Sequence, residues 1–465
     1  MSAATALARP YRPPAPLPLT KPLSSLGLIM GLRDNPVATW GIWNFEQPVI
    51  SVKTIIGHLT ILSAPAGIRH VLVDNAANYV KDELQRRVLK PGLGEGLLTA
   101  EGEAWRRTRR TLAPVFAPRA VEAFTGAMRE CAEAMAARLA ARLPASGAAV
   151  RFDMTAEMTR ITFEILTQTL FSNAIDTSPA KFAGAFTTYF ESLGRISPLD
   201  MLKAPDWIPR VGKWFARPAI AFFEEEVKRI IATRRALLAS GKLAPFDLLT
   251  LLLAAADPET GKGLSEAEVG ANIVTFIGAG HETTANALQW TLFLLSKHPE
   301  VRAQAEAEAD GANDIPLTEW PERLPMIRAV IEEAMRLYPP AATLTRAALA
   351  EDEVLGKKIP AGSTVIISPY VIHRHRLLWQ DPDLFRPERF LPGNRETIDR
   401  FAYLPFGAGP RICIGQRFAM YEAVIVLAVL LRHLRFDMAK GEGVTPVQRV
   451  TLRPSPKLEM LGVGR

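Results

Sequence analysis

The stretch Phe406-Gly-Ala-Gly-Pro-Arg-Ile-Cys413-Ile-Gly415 stands directly before an apolar segment that has the pattern of a helix. A cysteine beside a helix N-terminus and an arginine, Arg411, has positive surroundings that favour the thiolate, the form that binds metal. The first two glycines accept backbone angles that other residues resist, so they can turn amide groups towards the sulfur. Gly415 leaves room for the start of the helix to lie flat against a planar group. The stretch therefore predicts a metal-ligand loop.

A free cysteine is more often a small buried hydrophobic residue than a ligand, so Cys413 also has a purely structural interpretation. Single-cysteine metal sites are rare except in haem proteins. The spacing Phe406-x-x-Gly409-x-Arg411-x-Cys413-x-Gly415 resembles the haem-ligand signature of the cytochrome P-450 family, the haem-thiolate monooxygenases. This resemblance favours ligation.

The resemblance implies a fold and a cofactor. The fold would be mainly α with a minor β-sheet region, and haem b, iron protoporphyrin IX, would lie between a long central helix and the helix after the cysteine loop. Cys413 would be the iron ligand. Phe406 and Gly415 from the loop, and Ala279 and Gly280 from the central helix, would border the haem.

Size and composition set the class of protein. The chain has 465 residues, of which 48% are hydrophobic and 22% charged, enough for a large core. Its net charge of +7 comes from Lys and Arg that are scattered, so we expect no nucleic acid partner. The two cysteines, Cys131 and Cys413, are too few for a disulfide framework, and Cys131 is expected to pack in a helix. Without an apolar run of 18 residues or a signal peptide, the sequence predicts no membrane span, and we expect a soluble, cytoplasmic monomer.

The chain divides into an arm and one domain. Residues 1–48 carry closely spaced prolines that disfavour a helix, which predicts an extended N-terminal arm. Residues 49–465 are expected to form a single domain without a fused reductase. Within it we predict strands over 49–62 and 354–367, a flexible glycine-rich loop over 90–96 and an aromatic cap over 186–215.

The central helix has a clear start. Ser265 and Glu268 form the pattern of a capping box, so the helix should begin here. Ala279 and Gly280 follow mid-helix, where each glycine costs up to about 1 kcal/mol relative to alanine. Small residues let a flat ligand approach the backbone, and Thr283 is placed to hydrogen-bond back to the carbonyl of Ala279.

An acid and an alcohol stand side by side on this helix. Ala279-Gly280-x-Glu282-Thr283-Thr284 resembles the family's oxygen-activation segment, which implies that Glu282 and Thr283 are catalytic. Breaking the O–O bond needs protons, and a hydroxyl backed by an acid can relay them. The alternative is a helix kink with a solvated glutamate. His281 is expected to be structural and is assigned no role.

Two further segments resemble the family's supporting network. Glu333 and Arg336 are i,i+3 neighbours in a helical stretch, which alone would fit an ordinary surface ion pair. In the family such a pair is completed by an arginine from a Pro-Glu-Arg-Phe segment, here Arg389. The resemblance implies a buried network that supports the cysteine loop.

Haem carries propionates, so its edge needs cations and donors. The positions that resemble the family's propionate ligands are Trp105, Arg109, Arg346 and Arg411. Arg107 and Arg417 would belong to a basic surface over the cysteine. That surface would receive an acidic ferredoxin or flavodoxin, which an NAD(P)H reductase supplies with electrons.

The resemblance implies a monooxygenase that inserts one oxygen atom of O2 into a hydrophobic small organic substrate. Pro340–Leu344, Ile277 and the aromatic cap are the candidate pocket residues. Two alternatives remain at this point. One is a peroxide-driven hydroxylase, or an isomerase or dehydratase, that needs no outside electrons. The other is a haem-binding sensor without turnover.

Overall fold

The structure, a computed structural model, describes residues 11–54, 57–172, 198–201 and 211–465. It is 55% helical with small sheets, which confirms the predicted mainly α fold. The helices, numbered along the chain, are α1 Ser25–Asp34, α2 Pro65–Arg69, α3 Glu83–Leu93, α4 Gly102–Leu112, α5 Pro118–Glu122, α6 Thr125–Ala140, α7 Met154–Phe171, α8 Pro198–Met201, α9 Val211–Ala239, α10 Leu248–Ala254, α11 Glu266–Lys297, α12 Pro299–Asp310, α13 Trp320–Arg323, α14 Pro325–Leu337, α15 Pro369–Ile372 and α16 Gln416–His433.

The strands are short because glycine and proline turns interrupt them. They are β1 Val49–Thr54, β2 Gly57–Leu62, β3 Tyr79–Val80, β4 Val150–Asp153, β5 Leu344–Ala348, β6 Asp352–Val354, β7 Lys357–Ile359, β8 Thr364–Ile367, β9 Leu434–Asp437, β10 Thr445–Gln448, β11 Leu452–Ser455 and β12 Glu459–Gly464. Five of them form one sheet in the order β1-β2-β8-β5-β3, in which only the β2–β8 pair is parallel. A three-stranded sheet β4-β12-β9 and the hairpins β6–β7 and β10–β11 complete the β structure.

The long helix α11 is the centre of the helical part. Its capping box is present as predicted, since the Ser265 hydroxyl accepts from the Glu268 amide and the Glu268 carboxylate accepts from the Ser265 amide. From residue 284 to 295 every residue is buried, because α7, α14 and α16 pack around it. Within the part of the chain that the structure describes, no helix is both long and apolar enough to cross a bilayer.

Two sequence expectations about loops differ from the structure. The arm is not extended throughout, because residues 25–34 form α1, and Tyr338 donates a hydrogen bond of 2.8 Å to the Pro14 carbonyl. The glycine-rich loop is shorter than predicted, since α3 continues through Pro91 to Leu93. A proline in the last turn of a helix removes only one hydrogen bond, which α3 tolerates.

The remaining glycines of that loop are held against the central helix. A Cβ atom on Gly96 would lie 2.3 Å from Thr275 Oγ1, so a larger residue does not fit. The Leu97 amide donates to Asn272 Oδ1 at 2.9 Å. The loop is therefore a contact between α3 and α11. Most of the predicted aromatic cap, residues 186–197 and 202–210, lies outside the described residues.

A fully buried ion pair organises the chain beside the cysteine loop. Arg336 and Glu333 on α14 have no exposed side-chain surface, and the Arg336 Nε and Glu333 Oε2 atoms are 2.6 Å apart. The guanidinium has five N–H donors, and each finds an acceptor: two donate to Glu333, and the others to the carbonyls of His373, Pro382 and Leu384.

Arg389 approaches the same acid, with its Nε atom 3.6 Å from Glu333 Oε1, and the amide of Arg386 donates to that oxygen at 2.8 Å. The three residues that the sequence grouped are thus brought together. Because the pair fixes the carbonyls of residues 373–384, it determines the path of the chain that leads to the cysteine loop.

We predict that Glu333→Gln lowers the free energy of unfolding by about 3–5 kcal/mol, because Arg336 would remain a buried charge without its partner. Denaturant unfolding of the haem-loaded protein measures this difference. Glu319→Gln is the matched control, since Glu319 pairs with Arg323 on the surface and its loss should change stability by less than about 0.5 kcal/mol. A loss below about 1 kcal/mol for Glu333→Gln would contradict the prediction.

Candidate active site

The cysteine loop is a tight turn in front of α16. The Gly407 amide donates to the Leu404 carbonyl at 3.1 Å, and the Cys413 amide donates to the Phe406 carbonyl at 2.9 Å. Gly407 and Gly409 both have φ of +72°, in the left-handed region that favours glycine. At Gly409 a Cβ atom would lie 1.8 Å from the Leu72 carbonyl oxygen. Only glycine therefore lets the loop pack this closely on residues 70–74.

The sulfur of Cys413 faces a large cavity. Cys413 has accessible surface, and it lines the cavity. Protein nevertheless surrounds it closely, and this burial raises the pKa of its thiol. The Gly415 amide and the charge of Arg109 act in the opposite direction and lower this pKa. The sequence expected these effects from Gly407, Gly409 and Arg411. In the structure the pKa of the thiol is lowered by the Gly415 amide and by Arg109, because packing decides which groups lie near the sulfur.

The central helix forms the opposite wall of the cavity. Gly278, Ala279, Gly280, Glu282 and Thr283 all line it. The Thr283 hydroxyl donates to the Ala279 carbonyl at 2.7 Å, the contact that the sequence indicated. The Glu282 carboxylate accepts a hydrogen bond of 2.7 Å from Thr451, a residue of the β10–β11 turn. The acid and the alcohol of the proposed pair are therefore both at the wall.

Two neighbours of these residues face elsewhere. His281 is 4% exposed, packs edge-on against Phe163, and has its pKa lowered to about 4 by burial, which agrees with a structural role. Ile277 is buried in the core and is not part of the described cavity wall, contrary to the sequence expectation. Each residue turns the helix by about 100°, so a residue can face the core even where both of its sequence neighbours line the cavity, as Phe276 and Gly278 do here. Pro340, Ala341, Thr343 and Leu344 do line it.

The cavity has a volume of about 1350 Å³, and a cluster of cations lies at one edge. Trp105, Arg109, Arg346 and Arg411 all line it, as the sequence predicted, and the Arg411 guanidinium lies 4.1 Å from the centre of the Trp105 ring. Lys81 joins them and was missed, because its environment comes from segments distant in the sequence.

The cluster holds more positive charge than the protein neutralises. Burial, together with the charges of Arg411 and Arg346, lowers the pKa of Lys81 to about 7, although Glu101 acts in the opposite direction. Arg411 pairs with Glu101, the main acid of the cluster. Buried cations with lowered pKa values form a suitable site for an anionic group, because a nearby negative charge would raise their pKa values towards the usual range.

These features fit haem. The cluster supplies cations for two propionates, the small residues of the central helix and Gly415 leave the cavity walls open, and Cys413 offers one sulfur ligand. Among the described residues, no group of three His, Cys, Asp or Glu side chains could bind a bare metal ion. A single cysteine suits a metal whose other ligands come with a cofactor.

The chain is similar to known proteins over most of its length. The family model described as Cytochrome P450 matches residues 16–461. Cyclooctatin synthase of Streptomyces melanosporofaciens is 34% identical over 401 residues, 84% of this chain and 83% of that protein. Cytochrome P450 4F12 of Homo sapiens is 32% identical over 397 residues, 81% of this chain and 75% of that protein. The ultra-long-chain fatty acid omega-hydroxylase of Homo sapiens is 30% identical over 416 residues, 85% of this chain and 77% of that protein.

His373 links the buried ion pair to the cysteine loop. Its Nδ1 lies 3.2 Å from the Arg336 carbonyl, and its Nε2 accepts a hydrogen bond of 2.8 Å from the Leu404 amide. The ring is therefore neutral, with its proton on Nδ1. Burial, then the charges of Arg336 and Arg374, lower the pKa of His373 from 6.5 to about 3.

We predict that His373 makes the protein less stable as the pH falls from 6.5 towards 3, because only the unfolded chain binds its proton in that range. The loss should be about 1.4 kcal/mol per pH unit. His373→Gln keeps a donor and an acceptor but does not titrate, so its free energy of unfolding should fall less steeply with acidification. Equal slopes for the His373→Gln variant and the wild type would contradict the prediction.

Proposed function

Because this chain belongs to the cytochrome P450 family and is therefore a haem b monooxygenase, we propose that it inserts one oxygen atom of O2 into a hydrophobic organic molecule bound between α11 and the cysteine loop. The observation that carries this proposal is the cavity, which is lined both by Cys413 and by the Glu282–Thr283 pair. The acid–alcohol pair favours an electron-driven monooxygenase over a sensor or an isomerase, since neither of these needs protons delivered at O2.

The bound haem would supply an iron that activates O2, with the Cys413 thiolate donating electron density to favour O–O cleavage. Burial raises the pKa of the free Cys413 thiol, but a coordinated metal deprotonates a thiol outright. The Gly415 amide and Arg109 then stabilise the negative sulfur. Trp105, Arg346, Arg411 and Lys81 would hold the propionates, together with Arg109.

Thr283 and Glu282 would manage the protons. The Thr283 hydroxyl now donates to the Ala279 carbonyl, so it has to rotate before it can donate into the cavity. A hydroxyl bonded back in this way also loosens the helix locally, which leaves space beside the small residues 278–280. Glu282 would replace the proton that Thr283 delivers.

The substrate would be held by apolar contacts. The lining includes Leu93, Leu97, Leu98, Phe116, Leu248 and Phe276. One relative is named an ultra-long-chain fatty acid omega-hydroxylase, and a long apolar chain suits such a lining. We therefore propose a hydrophobic substrate with a long apolar portion.

Electrons would come from an acidic ferredoxin or flavodoxin. Arg417 is exposed at the start of α16, close to the cysteine, and Arg119 is exposed on the adjacent α5. Arg107 contributes less than the sequence indicated, because it is half-buried and pairs closely with Glu268. Arg417 also has an acidic neighbour, Glu122, but it is exposed and the contact is longer, at 3.6 Å. A basic surface here would steer an acidic partner towards the haem edge nearest Cys413.

We predict that Thr283→Ala uncouples the reaction. The probe substrate is the compound that gives the largest haem spin-state shift in a panel of fatty acids and terpenes. Product formed per NAD(P)H should fall at least about fivefold and hydrogen peroxide should rise, because the hydroxyl that delivers protons is lost. Thr291→Ala is the matched control, since Thr291 bonds back to the Ala287 carbonyl on the same helix and is not among the cavity-lining residues described. Unchanged coupling in Thr283→Ala would overturn the proton-relay assignment.

We also predict that Arg417→Glu slows reduction by a ferredoxin roughly three- to tenfold at low ionic strength, and that added salt removes most of the difference. The measurement is the rate of formation of the reduced carbon monoxide complex in stopped flow. Arg235→Glu, an exposed position on α9, should have little effect. A rate for Arg417→Glu that matches the wild type at every salt concentration would rule out this docking surface.

A further inference from the structure

A line of hydrogen bonds between buried and half-buried groups ends on the carboxylate of Glu282. The Leu458 amide donates to the Thr155 hydroxyl at 2.8 Å, and this hydroxyl donates to Gln289 Oε1 at 2.9 Å. The Gln289 amide donates to Asn286 Oδ1 at 3.2 Å, and the Asn286 amide donates to Thr451 Oγ1 at 3.0 Å. Thr451 then donates to Glu282 Oε1 at 2.7 Å.

The direction of this line follows from the groups in it. The Asn286 NH2 group can only donate, so the Thr451 oxygen acts as its acceptor and the Thr451 proton is directed to Glu282. Gln289, Asn286 and Thr451 are 2%, 3% and 5% exposed, so solvent does not compete for these bonds. Successive donors that point the same way strengthen one another, and their last member favours a negative charge at its acceptor.

Thr451 also belongs to the wall of the cavity. It lies in the turn between β10 and β11, and Gln448, Arg449 and Val450 from the same turn line the cavity with it. The next residue holds the turn against the body of the protein, since the Leu452 amide donates to the Pro340 carbonyl at 3.0 Å. The turn therefore borders the space for a bound molecule and also contacts the acid.

We propose that Thr451 is a positioning residue for oxygen activation, which holds the Glu282 carboxylate at the cavity wall as a proton acceptor and connects it to the turn that borders the substrate. This inference rests on the proposed role of Glu282. The hydroxyl touches no reacting atom. It acts by fixing one oxygen of Glu282. The carboxylate then has a defined orientation relative to Thr283 when it takes up a proton and passes it to the Thr283 hydroxyl.

The test uses the full-length haem-loaded protein and a ferredoxin with its reductase. The probe is dodecanoic acid. If it gives no haem spin-state shift, the probe is the compound with the largest shift in the panel of fatty acids and terpenes. Thr451→Val removes the hydroxyl and keeps the shape of the side chain. Product per NAD(P)H should fall at least about threefold with a matching rise in peroxide, while the dissociation constant of the probe and the reduced carbon monoxide spectrum stay unchanged. Thr451→Ser should restore coupling.

One further variant serves as a control, and a second is a replacement for Thr451→Val. Thr445→Val lies in the same hairpin, where the Thr445 hydroxyl donates to the Ser455 carbonyl on the surface, and it should leave coupling unchanged. Thr451→Ala replaces the valine variant if the latter loses haem, because a water can then satisfy Asn286. It should still reduce coupling, since a water is not fixed in position towards Glu282.

Glu282→Gln separates the two levels of the argument. It should uncouple the enzyme, and adding Thr451→Val to it should cause no further loss. If Glu282→Gln uncouples and Thr451→Val does not, the role of Thr451 is overturned and the proposed function stands. Additive losses would also overturn it, because Thr451 would then act independently of Glu282. Normal coupling in Glu282→Gln would overturn the proposed role of the acid, and with it this inference.

Discussion

The buried pair of Glu333 and Arg336 is the constraint on which the active site depends. Two charges without exposed surface are tolerated only if every donor and acceptor is satisfied. Arg336 meets this requirement with three backbone carbonyls from residues 373–384. The chain between α14 and the cysteine loop therefore has little freedom, and His373 passes this restraint to Leu404 at the start of the loop.

The cysteine loop adds its own restraint to the one beneath it. Gly409 brings the loop against the Leu72 carbonyl at a distance that excludes any side chain. The loop that carries the sulfur is therefore held at two places. The ion pair acts on it through His373 and Leu404, and residues 70–74 pack against Gly409. In the proposed site a rigidly held sulfur would matter, because the haem would have to reach both the sulfur and the cation cluster around Lys81 and Arg411 without rearrangement.

The opposite wall is organised differently, by polar side chains within a helix that is otherwise apolar. Small residues give access to the backbone of α11, and Thr283 bonds to the helix itself. Glu282, by contrast, is bound by a hairpin from the end of the chain through Thr451. The two members of the acid–alcohol pair are therefore controlled by separate parts of the protein, and only the acid is connected to the turn that borders the substrate.

The sequence by itself determined the features that depend on short spacing. These are the glycine-rich loop around Cys413, the start of the central helix at Ser265, the bond from Thr283 to Ala279 and the pairing of Glu333 with Arg336. Each joins residues at most about ten positions apart, where backbone geometry leaves few arrangements. The mainly α fold was implied by the family resemblance, which rests on the same short motifs.

Tertiary structure alone decided which distant groups meet. Lys81 joins Arg411 at the cation cluster, Gly96 docks on α11, and Thr451 reaches Glu282 across 169 positions of sequence. It also decided that Arg109 acts on the sulfur and that Ile277 faces the core. No local pattern predicts such contacts, because they arise when whole elements pack, and the packing of the complete core sets the direction in which each side chain points.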